Sequence, residues 1–338
     1  MIHSYRSVTP TSTVQTEFLH IPPTHSHTHS HTHSHTHSHH VIFIPGNPGC
    51  LHFYTTWFPS LHASLEKRVS ECDSSTDVHL HGFSYLNHHL DECGSEWNSE
   101  CVSECESEEY TCYSLPDQVA HAAAAIRSII STHTTTHSHT HYSHTHSITF
   151  ITHSLGAYVA LELFSDEYSK DITSLTTNCV LLMPFISLTH THTLTHILFT
   201  CLSYCRKAVR KIAKLLVWCS KKIPLAVREY ILTTSLSEHT SEYITRTVMG
   251  MCTHRLIQNV LSVCESEVDL VPSSEDRLTA LLHYLTSEED LTTINTTTDT
   301  TNTHVHSGRC RVMALYTNSD PFAPLAECER LFTTLSHV

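Results

Sequence analysis

The chain has 338 residues, 40% of them hydrophobic and 34 of them histidine, and carries a formal net charge of −14 at pH 7. That length suits one large α/β domain, or a core with a lid, and the acidic balance argues against a nucleic-acid binder. The opening MIHSYRSVTPTS lacks a hydrophobic signal region, and the sequence has no run of about 18 apolar residues, so neither a secretory leader nor a spanning helix is expected.

Residues 1–40 are expected to be disordered. They end in THSHTHSHTHSHTHSHH (24–40), the first of three Thr/Ser/His tracts; with 132–147 and 189–196 they hold 18 of the 34 histidines. Such alternation offers no apolar face whose burial could offset the ordering entropy. Loose metal binding is the functional reading of these tracts. A tolerated simple repeat in surface loops is the plainer one. Two of the tracts stand just before VIFIPG and ITFITHS, where a loop lengthens at little cost.

VIFI (41–44) reads as a buried strand, PGNPG (45–49) as a rigid turn, and the stretch after it as an amphipathic helix carrying Phe53, Trp57, Phe58 and Leu61. VHLHGFS (78–84) is a second strand, followed by the acidic loop DECGSEWNSECVSECESEEY (91–110). The 14 cysteines include no C-x-x-C pair, and the spacing of Cys93, Cys101, Cys105 and Cys112 fits no common zinc site. Reduced thiols are expected, with no metal and no cofactor. SLPDQVAHAAAAIRSIIS (114–131) is a helix, capped by Ser114 and with Pro116 in its first turn.

ITFITHSLGAYVALELF (148–164) joins a short apolar strand to a helix through His153, Ser154, Leu155 and Gly156. Strand, tight turn and helix with a serine at the apex is the setting of a nucleophile elbow. Gly156 supplies the small neighbour; on the other flank Thr152 stands where G-x-S-x-G has glycine. NCVLLMPFI (178–186) is a continuous apolar strand of the kind parallel sheets bury on both faces. Strands alternating with helices predict a doubly wound sheet with right-handed crossovers.

About 120 residues without a strand signal follow and read as a helical lid. Eight of the chain's 19 basic residues fall in its first part, and no acidic residue occurs between Asp171 and Glu229. On a helical wheel Arg206, Lys207, Arg210, Lys211 and Lys214 share one face, with Leu198, Leu202, Cys205, Val209, Ile212, Leu215 and Leu216 on the other. These five basic residues are candidates for contact with an anionic lipid surface; a lid helix packed on its own protein is the alternative. RCRVMALY (309–316) then resumes the sheet.

An acyl-transfer site needs a nucleophile, a base, an acid and oxyanion donors. Ser154 supplies the nucleophile. Asp320, after the strand RCRVMALY and held by the Asp-Pro-x-x-Pro spacing, supplies the acid. The N–H groups of Leu155 and Asn47 are the oxyanion candidates. His153 should point into the fold as an elbow neighbour. His337 sits where a further strand would begin, so the C-terminal strand and helix, and with them the base histidine, are expected to be missing.

VIFIPGNPG with the FY that follows, YSLPDQVAHA, THSLGAY and LLMPFI together resemble the lipid-droplet-associated hydrolase family, over about Val41 to Pro324. The resemblance implies an α/β-hydrolase fold and a serine hydrolase of lipid esters, of sterol-ester or acylglycerol type. It also implies peripheral residence on lipid droplets or the cytosolic face of the endoplasmic reticulum. It matches Ser154 to the family's nucleophile, Asp320 to its acid, and the helical insertion to its droplet-attachment region. The expected division is 1–40 disordered, 41–186 and 309–338 hydrolase core, and 187–308 lid; a monomer is expected. The competing functions are a droplet protein that kept the fold but lost the triad, and a His-rich metal buffer.

Overall fold

The computed structural model describes residues 2–8, 13–24, 37–72, 76–90, 111–136, 145–164, 170–185, 193–235, 242–271 and 311–315. Seven strands form one sheet in the order β1-β2-β4-β3-β5-β6-β7. They are β1 (Ile2–Val8), β2 (Thr13–Ile21), β3 (His37–Ile44), β4 (Thr76–Phe83), β5 (Thr145–His153), β6 (Thr176–Leu182) and β7 (Arg311–Leu315). The pairs β3–β4, β3–β5, β5–β6 and β6–β7 are parallel, while β1 and β2 join the edge antiparallel. The expected doubly wound, mostly parallel sheet is therefore present.

Side-chain alternation sorts the sheet into two buried faces. Val41, Phe43, Val78, Leu80 and Ile151 face α1 (Phe58–Cys72), whose Phe58 is buried with Trp57, Leu61 and Leu65 packed around it. Ile42, Ile44, Phe83, Ile148 and Phe150 face the opposite way, toward α2 (Leu115–Thr136) and α3 (Gly156–Leu163). At the start of α2 the Ser114 N–H and hydroxyl both donate to Asp117 Oδ2, at 2.7 and 2.6 Å, so the carboxylate reaches back to Ser114 as in half of a capping box. The expected acceptance of a helix N–H by the Ser114 hydroxyl is not seen. After β5 and α3, the short helix α4 (Lys170–Thr173) leads into β6. Between β6 and β7 come α5 (Thr193–Lys222), α6 (Leu225–Ser235), α7 (Glu242–Gly250) and α8 (His254–Leu270).

Within the first forty residues, the described 2–8, 13–21 and 37–40 are strand rather than the expected disorder. Ile2–Val8 and Thr13–Ile21 pair as a hairpin, and β3 begins at His37, inside the first tract. The physical reason is that alternation with period two is also a strand pattern. A tract end paired on both sides need not be apolar if its polar groups meet each other. His37 Nδ1 lies 2.7 Å from Thr145 Oγ1, His39 Nδ1 lies 2.6 Å from Ser147 Oγ, and His39 Nε2 lies 3.1 Å from Thr149 Oγ1. These contacts cross between β3 and the tract end that opens β5.

Candidate active site

The parallel strands β3, β5, β6 and β7 all end at one edge of the sheet, and the elbow stands there. β5 stops at His153 and α3 starts at Gly156, so Ser154 and Leu155 alone make the turn. Ser154 has φ 51°, a left-handed conformation rarely adopted by a non-glycine residue. Its neighbours hold it there: Ser154 N–H donates to Leu182 O at 3.0 Å, and Ser154 O accepts from Ala157 N at 3.0 Å and Phe185 N at 3.1 Å. The LLMPFI motif thus has a mechanical part, because the exit of β6 clamps both backbone groups of the serine. Met183 N–H in turn donates to Leu315 O at 2.6 Å, tying that exit to the end of β7.

The small residues of the elbow are required by space. A Cβ on Gly156 would lie 2.3 Å from Ile44 O, and one on Gly46 would lie 2.7 Å from Ser154 Cβ. The helix and the PGNPG turn therefore close on the serine from two sides. Thr152, in place of the usual glycine, is fully buried within β5 between Ile44 and Leu181, and its hydroxyl reaches Val180 O at 3.4 Å. At that position the strand has not yet turned, so a β-branched residue fits.

The PGNPG turn is built by Gly49 (φ 70°), whose N–H donates to Gly46 O at 2.5 Å. A Cβ on Gly49 would lie 2.3 Å from the Tyr85 ring. Tyr85 grips the turn at both ends: its N–H donates to Gly49 O and its hydroxyl to Pro45 O, each at 2.8 Å. His88 Nδ1 donates to Pro48 O. Below them Glu17, on β2, accepts from Ser84 Oγ at 2.8 Å and from Leu90 N at 2.9 Å, and meets His52 Nε2 at 3.0 Å.

Of the oxyanion candidates, Leu155 is fully buried and its N–H belongs to the first turn of α3, where helix N–H groups lack intrahelical acceptors. Asn47 is half-buried, and its side chain turns toward α8, donating from Nδ2 to Cys264 Sγ at 3.0 Å. His153 Nδ1 lies 2.8 Å from the Tyr54 hydroxyl, with the two rings packed edge to face. Burial pushes the Tyr54 phenol up, so at neutral pH it holds its proton. Asp320 and His337 lie outside the described residues, as do Cys93, Cys101 and Cys105.

Sequence reasoning missed the underside of the turn. Glu267 is 4% exposed on α8, bonds to Asn47 and Cys264, and has its carboxyl pushed up to about 7, burial being the main cause and those two bonds opposing it. Burial also raises the Cys264 thiol, so it stays protonated. The only hint in HRLIQNVLSVCESEVDL is polar Gln258, Asn259 and Glu267 in register with apolar Leu256 and Val263, which the helix buries together. Because the folded carboxyl titrates above its unfolded value of 4.5, its stabilising share is full below pH 4.5 and is lost as pH rises through about 7. We expect Glu267→Gln to change stability little at pH 4 and to raise it by about 3 kcal/mol at pH 8, measured by urea unfolding at both values.

The basic stretch is divided differently from the helical-wheel expectation. Arg210 makes a two-pronged contact with Glu265 at 2.7 and 2.8 Å, and Arg206 Nη2 reaches Asp269 Oδ1 at 2.5 Å, so both face α8. α5 kinks at Cys205, and Leu202 and Val217 are buried. Lys207, Lys211 and Lys214 are exposed together with Tyr204, Ile212, Leu215, Leu216 and Trp218, the last with Lys222 Nζ 5.5 Å above its ring. The apolar positions at the kink and beyond are thus split between core and surface, because α8 supplies the carboxylates that draw the arginines inward. Among the described residues no helix is long and apolar enough to cross a membrane.

Among the solved structures similar to this chain are an esterase and two hydrolases. They include a thermophilic esterase from Thermogutta terrifontis (malate bound; TM-score 0.49, 11% identity, covering 99% of this chain and 86% of that one). A hydrolase from Pseudomonas aeruginosa follows (0.48, 10%, 98% and 86%). The peroxisomal alpha-beta-hydrolase Lpx1 of Saccharomyces cerevisiae is a third (0.47, 11%, 83% and 71%). No curated protein matches the chain in sequence. The family model for lipid-droplet associated hydrolases matches residues 37–337, which takes in β3 to β7, the elbow and the helices inserted before β7. The chain belongs to the lipid-droplet associated hydrolase family and has the α/β-hydrolase fold.

Proposed function

We propose that this hydrolase cleaves lipid esters, of sterol-ester or acylglycerol type, through an acyl-enzyme on Ser154, with Asp320 as the acid of the triad. The observation that carries the reading is the left-handed backbone of Ser154 at the parallel edge of the sheet, held on both sides by Leu182 and Phe185. Strain of about 1–3 kcal/mol at a non-glycine residue persists where function needs the side chain aimed. Leu155 and Asn47 supply the N–H groups for the oxyanion, and the Asn47 turn is fixed by Tyr85, His88 and α8. A fluorophosphonate probe tests the reading: it is expected to label Ser154, and no labelling at any concentration would count against a hydrolytic serine. The second reading, a droplet protein that keeps the fold without turnover, draws on His153, whose ring nitrogen is engaged by Tyr54. Labelling of Ser154 without turnover of a long-chain acyl ester would favour it.

The surface of action we infer is a lipid droplet or the cytosolic face of the endoplasmic reticulum, bound peripherally by a monomer. Exposed Ile212, Leu215, Leu216 and Trp218 interleaved with Lys207, Lys211 and Lys214 give α5 both an apolar and a cationic term for such a surface. Leu215→Asp with Leu216→Asp is expected to weaken binding to vesicles containing phosphatidylserine by at least about 100-fold, since burying each leucine contributes about 1.5–3 kcal/mol. Vesicle flotation reads the change, and undiminished binding would remove α5 from the contact.

A further inference from the structure

Part of the histidine excess is built into the sheet. His20 lies near the end of β2, His79 and His81 alternate on β4, and His40 belongs to β3. The register sets His20 opposite His81 and His40 opposite His79. Residues directly opposite share a face, so four imidazoles from three adjacent strands stand together on the face that carries Ile42, Phe83 and Ile148. Their rings touch: centroids are 4.7 Å apart for His20 and His81, 5.7 Å for His20 and His79, and 5.2 Å for His40 and His79. His20 and His79 are half-buried, whereas His81 is 2% exposed and His40 is fully buried.

We propose that His20, His79 and His81 bind a divalent transition-metal ion of the zinc class, clipping the antiparallel strand β2 to β4. One ring nitrogen of each of the three lies within 4.8 Å of those of the other two. The His20 Nε2 to His79 Nδ1 distance is 3.4 Å. A tetrahedral zinc with bonds of about 2.0–2.1 Å sets its nitrogen ligands about 3.3 Å apart. One pair already has that spacing, and the His81 nitrogen, within 4.8 Å of both, has the remainder to close. The rings are stacked, His20 and His81 within 2° of parallel, so a shared ion requires at least one ring to turn until its nitrogen faces the others. His20 and His79, being half-buried, have the room to turn.

Imidazole is the ligand type this class of ion takes from a site without thiolate or carboxylate. His40 completes the surroundings. Its Nδ1 lies 3.2 Å from His81 Nε2 and its Nε2 lies 3.3 Å from His146 Nδ1, the sort of second contact that fixes the tautomer and ring plane of a ligand. The sequence shows only the His-x-His of β4, and the third member comes from β2, 59 residues before His79, so no ligand spacing announces the set.

The test must separate this site from the histidine tracts, which can also take up metal. An ion that binds folded and unfolded chain alike leaves the unfolding midpoint where it was, and only a site made by the fold raises it. Thermal unfolding of the full chain with and without Zn²⁺, after treatment with chelator, is therefore the measurement. The wild type is expected to gain several degrees with Zn²⁺, and His20→Gln and His79→Gln to lose most of that gain while keeping the metal-free midpoint and far-UV spectrum close to wild type. Replacing Zn²⁺ by Co²⁺ should give visible absorption of low-coordinate cobalt in the wild type that the same variants lack. An equal Zn²⁺ shift in wild type and both variants, or no shift in the wild type, would overturn the proposal. His20→Gln, half-buried near the end of β2, keeps the test open should His79→Gln fail to fold.

Discussion

Ser154→Ala is expected to lower ester hydrolysis by about 10³-fold or more and to remove fluorophosphonate labelling, while the folded chain persists. Loss of the attacking hydroxyl from a triad leaves only what binding and oxyanion donors supply, which is several orders of magnitude below the intact site. The backbone makes a second, independent expectation. Alanine keeps the Cβ and hence the cost of φ 51°, whereas glycine adopts that conformation freely. Ser154→Gly should therefore be more stable than Ser154→Ala by about 1 kcal/mol, although both are inactive. Denaturant unfolding of the two variants, alongside a turnover assay, reads both numbers. Equal stability would mean that the elbow carries no strain, and turnover retained by either variant would place the nucleophile elsewhere.

Acid should unfold this protein earlier than its carboxylates alone would. His88 is fully buried beside the PGNPG turn, and His121 is 5% exposed, with Nε2 3.3 Å from Ser84 O. Burial holds both imidazoles down to about 4, against 6.5 for the free side chain, with the backbone contacts opposing the shift. The sign follows from proton counts: between pH 6.5 and 4 the unfolded chain binds protons that the folded one refuses. The stability these groups contribute is present above pH 6.5 and is lost as pH falls toward 4. Each accounts for about 3 kcal/mol across that window, a large share of the 5–15 kcal/mol typical of a folded domain. Glu267 titrates in the opposite sense over an overlapping range and offsets about half of the pair. An unfolding midpoint measured at pH 5 should lie well below that at pH 7 for the wild type. In His88→Gln with His121→Gln the difference should shrink to what the remaining groups supply, and an unchanged difference would remove these two histidines as the cause.

The parts of the site that were legible in the sequence are the local ones. Strand, turn and helix at 148–164 follow from apolar runs broken by Ser154, Leu155 and Gly156, all within one connection. Ser114 with Asp117 announces the start of α2 in the same way. PGNPG reads as a turn because glycine and proline fix backbone angles wherever they occur. Family membership was legible too, since its motifs are these short runs.

What the sequence by itself determined, then, is the elbow, the turn and the wound sheet, because each depends on backbone preferences and periodicities a few residues long. Tertiary structure alone decided which ends of the histidine tracts became strand, since pairing with β4 and β5 satisfies polar groups that the isolated repeat leaves to water. It also decided that Asn47 meets Cys264 across 217 residues, that Arg206 and Arg210 turn inward to α8, and that His20, His79 and His81 converge. Those outcomes turn on which surfaces the chain brings together, and no short window of sequence contains all the partners of any one of them.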